Sequence, residues 1–124
     1  MKGHLSVCAI PVKDQNGVPW LEDRLFIKDG GRFEKIILQD VLWLEARRNY
    51  CDIVTLYQRF TASATIHALY RQLPGTLLVR VHRSYVVNLA HVTAMEGSMV
   101  LIKEQQIPIG KNYRRGFLER FHFL

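Results

Sequence analysis

Apolar and polar positions alternate with a period of two along most of this chain, as they do in half-buried β-strands. The alternation stops at short segments that are polar or contain Gly, Asn or Asp, which is typical of tight connections between antiparallel strands. Residues 41–44 are instead continuously apolar, which also suits a buried strand. With them, the strand-like stretches are residues 25–28, 32–38, 41–44, 50–57, 77–81, 85–89, 98–104 and 106–109. This pattern predicts a mostly β fold.

Two segments depart from the alternation and take on a helical period. In residues 66–73, apolar side chains recur at spacings of three, four and seven, with Ser63 or Thr65 in front as an N-cap and Pro74-Gly75 behind. Residues 111–121 place apolar and aromatic side chains on one helical face. We expect one short helix in the middle of the chain and a short C-terminal helix.

The N-terminal segment differs from the rest of the chain. Residues 1–22 contain Pro11, Asn16-Gly17 and Pro19 without a sustained period, so we interpret them as a linker or a peripheral strand. Residues 23–124 form the predicted domain. The apolar stretch at residues 5–12 is short, and no stretch approaches the ~18 apolar residues of a membrane-spanning helix. We therefore predict neither a signal peptide nor a membrane partner.

Length and charge narrow the class of protein. A chain of 124 residues, 48% of them hydrophobic, suffices for one compact core but not for two ordinary domains. Its net charge of +6 lies in the predicted domain, because residues 1–23 carry more acidic than basic side chains. Such an excess favours a polyanionic partner without identifying one. Cys8 and Cys51 form no disulfide framework, so we expect a cytoplasmic location.

Three polar groups interrupt the β pattern and offer hydrogen-bond donors. They are Arg47-Arg48-Asn49, His82-Arg83-Ser84, and Lys111-Asn112 with Arg114-Arg115. Arg and Lys can address guanine O6 and N7, Asn can address adenine N6 and N7, and all of them can bind phosphate. The alternative for each single group is a solvated loop charge. The pattern does not reveal whether the three groups lie on one face.

Arg80 and His82 alternate with Val79 and Val81. In a regular strand, Arg80 and His82 share one face and the two valines share the other. For Arg80 we favour a structural ion pair over contact with DNA. For His82, a hydrogen-bonded role in shaping the turn and a direct phosphate contact both stay open.

The sequence offers no constellation for catalysis or metal binding. Its five His and two Cys residues include no CxxC or HxxxH pair, so we predict no metal and no cofactor. Nothing marks a base, an orienting group or an oxyanion hole for Cys51 as a nucleophile. Asp29-Gly30-Gly31 lacks the GK[ST] ending of a phosphate-binding loop. We therefore predict that the chain is not an enzyme.

Four blocks of the sequence resemble the LytTR family of DNA-binding domains. Their order and spacing agree with the family over residues 23–121. The third block is similar to the family's most diagnostic stretch, and the fourth resembles its terminal signature of a small, a basic, a small polar and an aromatic residue. The blocks are Leu25-Phe26-Ile27-Lys28-Asp29-Gly30, Asp40-Val41-Leu42-Trp43-Leu44-Glu45-Ala46-Arg47-Arg48-Asn49-Tyr50, Val79-Arg80-Val81-His82-Arg83-Ser84-Tyr85-Val86-Val87-Asn88 and Ile107-Pro108-Ile109-Gly110-Lys111-Asn112-Tyr113.

The resemblance implies a fold of elongated antiparallel β-sheets, a β-β-β sandwich with two short helices, whose loops enter successive major grooves of double-stranded DNA. It implies sequence-specific DNA binding for bacterial transcription regulation, by the effector domain of a two-component response regulator or by a stand-alone regulator. The implied partners are direct-repeat promoter sites that two copies occupy as a homodimer on DNA. In a longer regulator they also include an upstream receiver domain and a sensor histidine kinase.

Carried over by position, the family's DNA contacts fall on the same three polar groups. Lys111 stands where Arg is frequent, and Lys cannot reproduce the bidentate fork of a guanidinium. Arg47-Arg48 is more basic than the pair often found there, which favours phosphate affinity over specificity. The predicted DNA-binding residues are Arg47, Arg48, Asn49, Tyr50, Cys51, His82, Arg83, Lys111, Asn112, Arg114 and Arg115.

Two other functions suit a basic β module. Binding of RNA or single strands would require exposed aromatic side chains on a sheet face, where bases stack. A protein-interaction module would use its charge for solubility alone.

Overall fold

Three antiparallel sheets frame the computed structural model, which describes residues 6–8, 24–29, 31–73 and 77–123. β1 (Ser6–Cys8), β2 (Arg24–Asp29) and β3 (Arg32–Ile37) form the first sheet in that order. The central sheet contains β4 (Val41–Arg47), β5 (Tyr50–Thr55), β6 (Arg59–Ala62), β7 (Leu78–His82) and β8 (Tyr85–Asn88), in the order β6-β5-β4-β8-β7. The third sheet contains β9 (Ala94–Glu96), β10 (Met99–Ile102) and β11 (Gln105–Pro108), in the order β11-β10-β9.

Two short helices accompany the sheets. α1 (Ile66–Tyr70) begins where the Thr65 hydroxyl accepts a hydrogen bond of 3.1 Å from the Ala68 amide, so Thr65 is the N-cap. α2 (Arg114–Leu118) is shorter than the predicted segment, because the Tyr113 amide donates to the Gly110 carbonyl and closes a turn ahead of the helix. Two single 3₁₀ turns lie at Leu38–Asp40 and Leu89–His91.

The mostly β fold with two short helices, predicted from the sequence, is confirmed. In the predicted hairpin of β2 and β3, Asp29 pairs with Arg32. The turn between β10 and β11 falls at Lys103-Glu104, one residue before its predicted place. β6 and β9 were not predicted, because such short strands carry too little alternation to stand out. β1 pairs with β2 as a peripheral strand, and the boundary of the domain stays a prediction.

The central sheet has an apolar core on each face. The first face packs against the first sheet and α1, and the second against the third sheet and α2. A bulge in β4 turns Leu42 and Trp43 to the second face, while Val41 and Leu44 face the first. Both faces of one sheet are thus buried, which explains the near-continuous apolar run in β4.

Asn88 is a buried polar residue that joins the end of β8 to the chain where β4 begins. Its Nδ2 donates to the carbonyl oxygens of Leu38 at 3.1 Å and Val41 at 2.8 Å. Its Oδ1 accepts a hydrogen bond of 2.8 Å from the Ala90 amide. The side chain therefore ties the start of β4 to the end of β8 with its polar atoms satisfied.

Candidate nucleic-acid interface

The register of the central sheet places two of the predicted polar groups at the same end. Arg47 pairs with Tyr50 across one turn, and His82 pairs with Tyr85 across the other. β4 and β8 run antiparallel with Glu45 opposite Tyr85, so both turns lie at the same end of the strands. Two strand spacings separate the centres of the turns, which corresponds to roughly 10 Å. We call this end of the sheet, together with the residues that adjoin it, the basic end.

A backbone hydrogen bond joins the two turns at the basic end. The Ala46 amide at the end of β4 donates to the Ser84 carbonyl over 2.9 Å. The second turn is therefore held directly against the strand that leads into the first. Their relative position is set by the sheet and not by flexible loops.

The third polar group reaches the basic end through Gly110. The Gly110 amide donates to the Val81 carbonyl at 2.6 Å, which extends the sheet beyond its edge strand β7. A Cβ atom at this glycine would lie 3.1 Å from the Tyr113 ring and 3.6 Å from the His82 Cα, so the close approach leaves little space for a side chain. Lys111 and Asn112 follow at once and are exposed.

The first turn presents Arg48 and Asn49 at its tip, both exposed. Arg48 has a φ of 53°, in the left-handed region that side chains other than Gly occupy at a cost. A two-residue connection needs such an angle to match the twist of the flanking strands. Tyr50, where β5 begins, is half-buried.

Cys51 lies on the opposite side of β5 from the polar residues of the turn. Its side chain is fully buried in the core of the first face, and it pairs with Ala46. Burial raises the pKa of the Cys51 thiol to about 12, with a further rise from the charge of Asp52. Successive residues of a strand point to opposite faces. The side chain of Cys51 therefore points away from that of Tyr50 and into the core.

The Arg80 side chain binds the backbone of the second turn. Its Nε donates to the His82 carbonyl at 3.1 Å and its Nη2 to the Arg83 carbonyl at 2.6 Å. The guanidinium carbon also lies 5.9 Å from the centre of the Tyr113 ring, a cation–π contact that reaches the third group. Arg80 therefore has the structural role favoured from the sequence, but its partners are carbonyl oxygens and an aromatic ring rather than a carboxylate.

His82 shapes the same turn with its ring. Its Nδ1 accepts a hydrogen bond of 3.0 Å from the Ser84 amide, and its ring meets that of Tyr85 edge-on at 5.7 Å. The expectation that Arg80 and His82 share a face is wrong. A bulge in β7 pairs Arg80 with Val86 and His82 with Tyr85, which are successive residues of β8 and so lie on opposite faces.

Arg83, Arg114 and Arg115 are all exposed at or near the basic end. Within the described residues, the Arg83 side chain makes no hydrogen bond or ion pair. Arg114 donates from Nη1 to the Gly97 carbonyl at 3.2 Å, which ties α2 to the turn between β9 and β10. Arg115 lies 3.8 Å from Glu119 in a solvent-exposed pair, a kind that contributes little to stability.

A buried carboxylate beneath the first turn was missed by the sequence reasoning. Asp52 is fully buried, and its Oδ2 accepts hydrogen bonds from the Nη1 atoms of Arg47 at 3.0 Å and Arg59 at 2.7 Å. Its Oδ1 accepts one from the Thr61 hydroxyl at 3.0 Å. The available signal was a single acidic residue inside an otherwise apolar strand, which needs cationic or hydroxyl partners when it is buried.

These partners decide the protonation of Asp52. Burial by itself raises the pKa of this carboxyl, but the hydrogen bonds from Arg47, Arg59 and Thr61 together outweigh it and lower the pKa. The pKa of Arg47 is raised in turn, first by its hydrogen bond to Asp52 and then by the charge of that carboxylate. Asp52 and Arg47 are therefore an ion pair at neutral pH.

The basic end thus carries several exposed donors on a rigid frame. Guanidinium and ammonium groups bind phosphate oxygens, and Arg and Asn can also bind base edges in the major groove. Among the residues whose burial the structure describes, the aromatic side chain with the largest exposed fraction is Tyr57 at 80%, in the turn between β5 and β6 at the other end of the sheet. That position does not favour stacking of bases beside the basic residues.

The described part of the chain contains neither a membrane-spanning helix nor a cluster of metal ligands. None of its helices has the length and apolar character required to cross a bilayer. No group of three or more His, Cys, Asp or Glu residues within the same ranges lies close enough together to hold a metal ion.

Comparisons with known proteins bear on the family and the fold of this chain. The family model of the LytTr DNA-binding domain matches residues 31–122. The sensory transduction protein LytT of Bacillus subtilis is 20% identical over 107 residues, 82% of this chain and 44% of the relative. LytT of Enterococcus faecalis is 19% identical over 105 residues, 80% of this chain and 40% of the relative. The chain thus spans less than half the length of these curated relatives.

A solved structure shares the fold. It is described as the LytTr DNA-binding domain of a methyl-accepting/DNA response regulator from Bacillus cereus, and it superimposes with a TM-score of 0.68 at 20% sequence identity. The superposition covers 82% of this chain and 98% of the Bacillus cereus domain. With its family model matched over most of its length, the chain belongs to the LytTr DNA-binding domain family.

Proposed function

We propose that this chain binds a specific sequence of double-stranded DNA and thereby controls transcription in the bacterial cytoplasm, without catalysing a reaction. The observation that carries the proposal is the convergence of three basic groups, distant in the sequence, on one end of the central sheet. A surface that only solvated its charges would not need to bring them together. Membership of a DNA-binding family supports the nature of the partner.

The two turns of the basic end supply the base contacts in this proposal. Arg48 and Asn49 lie at the tip of one turn and Arg83 at the tip of the other, all exposed. The major groove is about 12 Å wide, enough to admit a two-stranded β-ribbon with its turn. Arg suits guanine and Asn suits adenine, so a turn with both can distinguish base pairs.

The flanking residues bind the backbone in this proposal. Lys111 is a point charge and suits a phosphate better than a base edge. Arg114 and Arg115 extend the positive surface beyond β7, and Asn112 adds a neutral amide donor. His82 and Tyr50 support the turns, and Cys51 contributes only to the core because its side chain is buried. Phosphate contacts of this kind set the register of a protein on DNA and make affinity depend on salt.

We further propose that two copies bind direct repeats in a promoter as a homodimer on DNA. In a longer regulator, an upstream receiver domain and a sensor histidine kinase would govern this binding. The length of the LytT relatives, of which the chain spans less than half, supports the longer regulator.

Selection from a pool of random duplexes, followed by titration with salt, tests the proposal. We expect an enriched motif, tighter binding to that motif than to scrambled duplex, and a linear fall of log affinity with log salt. No enriched motif together with no affinity for duplex would overturn it. Preference for single-stranded RNA or DNA of the same sequence would support the RNA-binding alternative instead.

A further inference from the structure

The cluster around Asp52 lies at the margin of the second apolar core. Asp52 pairs with Glu45 of β4 and Thr61 of β6, on the face that carries Trp43. Within the central sheet, the buried residues of this core come from β4, β7 and β8, and from β5 only the half-buried Val54 packs against it. At Asp52, this face is covered by the side chains of Arg47 and Arg59 and not by the third sheet.

Both arginines are held in position and are still accessible. Their Nη1 atoms donate to the same carboxylate oxygen, from the two strands that flank β5. The Arg47 side chain is 62% exposed and that of Arg59 is 47% exposed. Each guanidinium has five N–H donors, so most of them remain for a ligand in front of the cluster. Two such groups side by side, already ordered, suit a single phosphate.

The depth of the cluster below the turn matches a position on the rim of a groove. Asp52 lies two residues along β5 from Tyr50, which pairs with Arg47 beside the tip of the turn. Two residues of a strand correspond to about 7 Å. The major groove is about 8.5 Å deep. When the tip of the turn enters the groove, the guanidinium groups therefore reach the height of the phosphates that border it.

We propose that Arg47 and Arg59 together bind one backbone phosphate of duplex DNA, beside the groove that the turn enters, and that Asp52 is the positioning residue that holds them. This inference rests on the proposed function. It adds Arg59 to the interface, which neither the polar groups of the sequence nor the carried-over contacts include.

The two acidic side chains of the cluster are less exposed than its two arginines. Asp52 is fully buried behind the two guanidinium groups. Glu45 pairs with Asp52 and shares its face; its side chain is 31% exposed, and its Oε1 is 3.4 Å from the Trp43 Nε1 and 4.0 Å from the Arg59 Nη1. The positive groups are therefore the ones that an approaching anion meets first.

The first test is Arg59→Gln, measured by duplex titration over a range of salt concentrations. We expect lower affinity for the selected and the scrambled duplex alike, and a log–log salt slope shallower by about 0.9, the value for one lost phosphate contact. Arg59→Lys retains the charge and should restore most of the slope. Arg32→Gln is the matched control, because Arg32 is an exposed arginine of the first sheet that pairs with Glu34.

An Arg59→Gln slope equal to that of the wild type would overturn the inference. The wild type and the Arg32→Gln variant must bind duplex in the same experiment. If they do not, the proposed function is wrong, which is a different outcome from an unchanged slope in Arg59→Gln. Arg59→Gln leaves Asp52 with Arg47 and Thr61 as partners, so the fold is expected to persist. Thermal unfolding verifies this in each variant.

The second test is Asp52→Asn, for which charge and positioning predict opposite results. The substitution makes the chain more positive, so a role of charge alone predicts tighter binding to every duplex. If Asp52 positions the two arginines, affinity for the selected and the scrambled duplex falls alike and the salt slope becomes shallower. Tighter binding to both duplexes without a shallower salt slope would overturn the positioning role. If this variant does not fold, Arg59→Gln and Arg59→Lys decide.

Discussion

The Nη2 of Arg80 donates a hydrogen bond of 2.6 Å to the carbonyl oxygen of Arg83. A half-buried side chain thus fixes the backbone from which an exposed residue of the proposed interface projects. The same guanidinium lies over the ring of Tyr113, so the second turn and the third basic group share one support.

Replacing Arg80 should therefore affect both stability and binding. In Arg80→Leu the apolar stem is retained, while two hydrogen bonds to carbonyl oxygens are lost, each worth about 1 kcal/mol. We expect a lower free energy of unfolding in urea and weaker binding to the selected duplex. Arg32→Leu, on the first sheet, should change neither by much. Wild-type affinity in Arg80→Leu would contradict the support role.

The two residues with positive φ allow stability and binding to be separated. Arg48 has a φ of 53° and Lys103 a φ of 57°, and each lies in a two-residue turn. Since glycine adopts this region without strain, Arg48→Gly and Lys103→Gly should each leave stability unchanged or raise it by up to about 1 kcal/mol. Only Arg48→Gly should weaken duplex binding. Equal affinities of the two variants would remove Arg48 from the interface.

Arg83 is expected to contact DNA directly. Its side chain is exposed at the tip of the second turn, so Arg83→Ala should weaken duplex binding, most for the selected sequence, and make the salt slope shallower. Stability should change little, because the Arg83 carbonyl that binds Arg80 is retained. Arg71→Ala, an exposed arginine after α1, is the control. An isotherm identical to the wild type at every salt concentration would exclude Arg83.

Asn88 should be among the residues most sensitive to substitution. Asn88→Ala leaves the carbonyl groups of Leu38 and Val41 without their donor, and buried unsatisfied groups cost about 1–3 kcal/mol each. We expect a loss of several kcal/mol in urea unfolding. The matched variant Asn49→Ala, at an exposed turn position, should lose less than about 0.5 kcal/mol. Similar losses in both variants would show that the buried bridge is not needed.

Acid should weaken the fold through Asp52. The folded pKa of this carboxyl is lowered, so its contribution to stability is complete above the unfolded pKa of about 3.9 and is lost as the pH falls through the folded value. Urea midpoints measured from pH 6 downward should fall more steeply for the wild type than for Asp52→Asn. Parallel curves would show that the folded pKa of Asp52 is not lowered.

Much of the fold follows from local patterns. The hairpin of β2 and β3 and the helix that begins after Thr65 were predicted because alternation, turn residues and caps act over a few neighbours. The faces of Arg80 and His82 were predicted wrongly, because a bulge inserts one residue and reverses the alternation. A bulge depends on the partner strand, which a local pattern does not contain.

The candidate site, too, was only partly predictable from the sequence. The sequence alone identified the family and three basic groups, because residue type and spacing along the chain are sufficient for both. Only the tertiary structure decided that the groups meet at one end of a sheet, since their meeting depends on the register of β4, β5, β7 and β8 and on the close approach at Gly110. It also decided that Cys51 belongs to the core and that Asp52 binds Arg47 and Arg59, because strand pairing brings together side chains that no spacing rule connects.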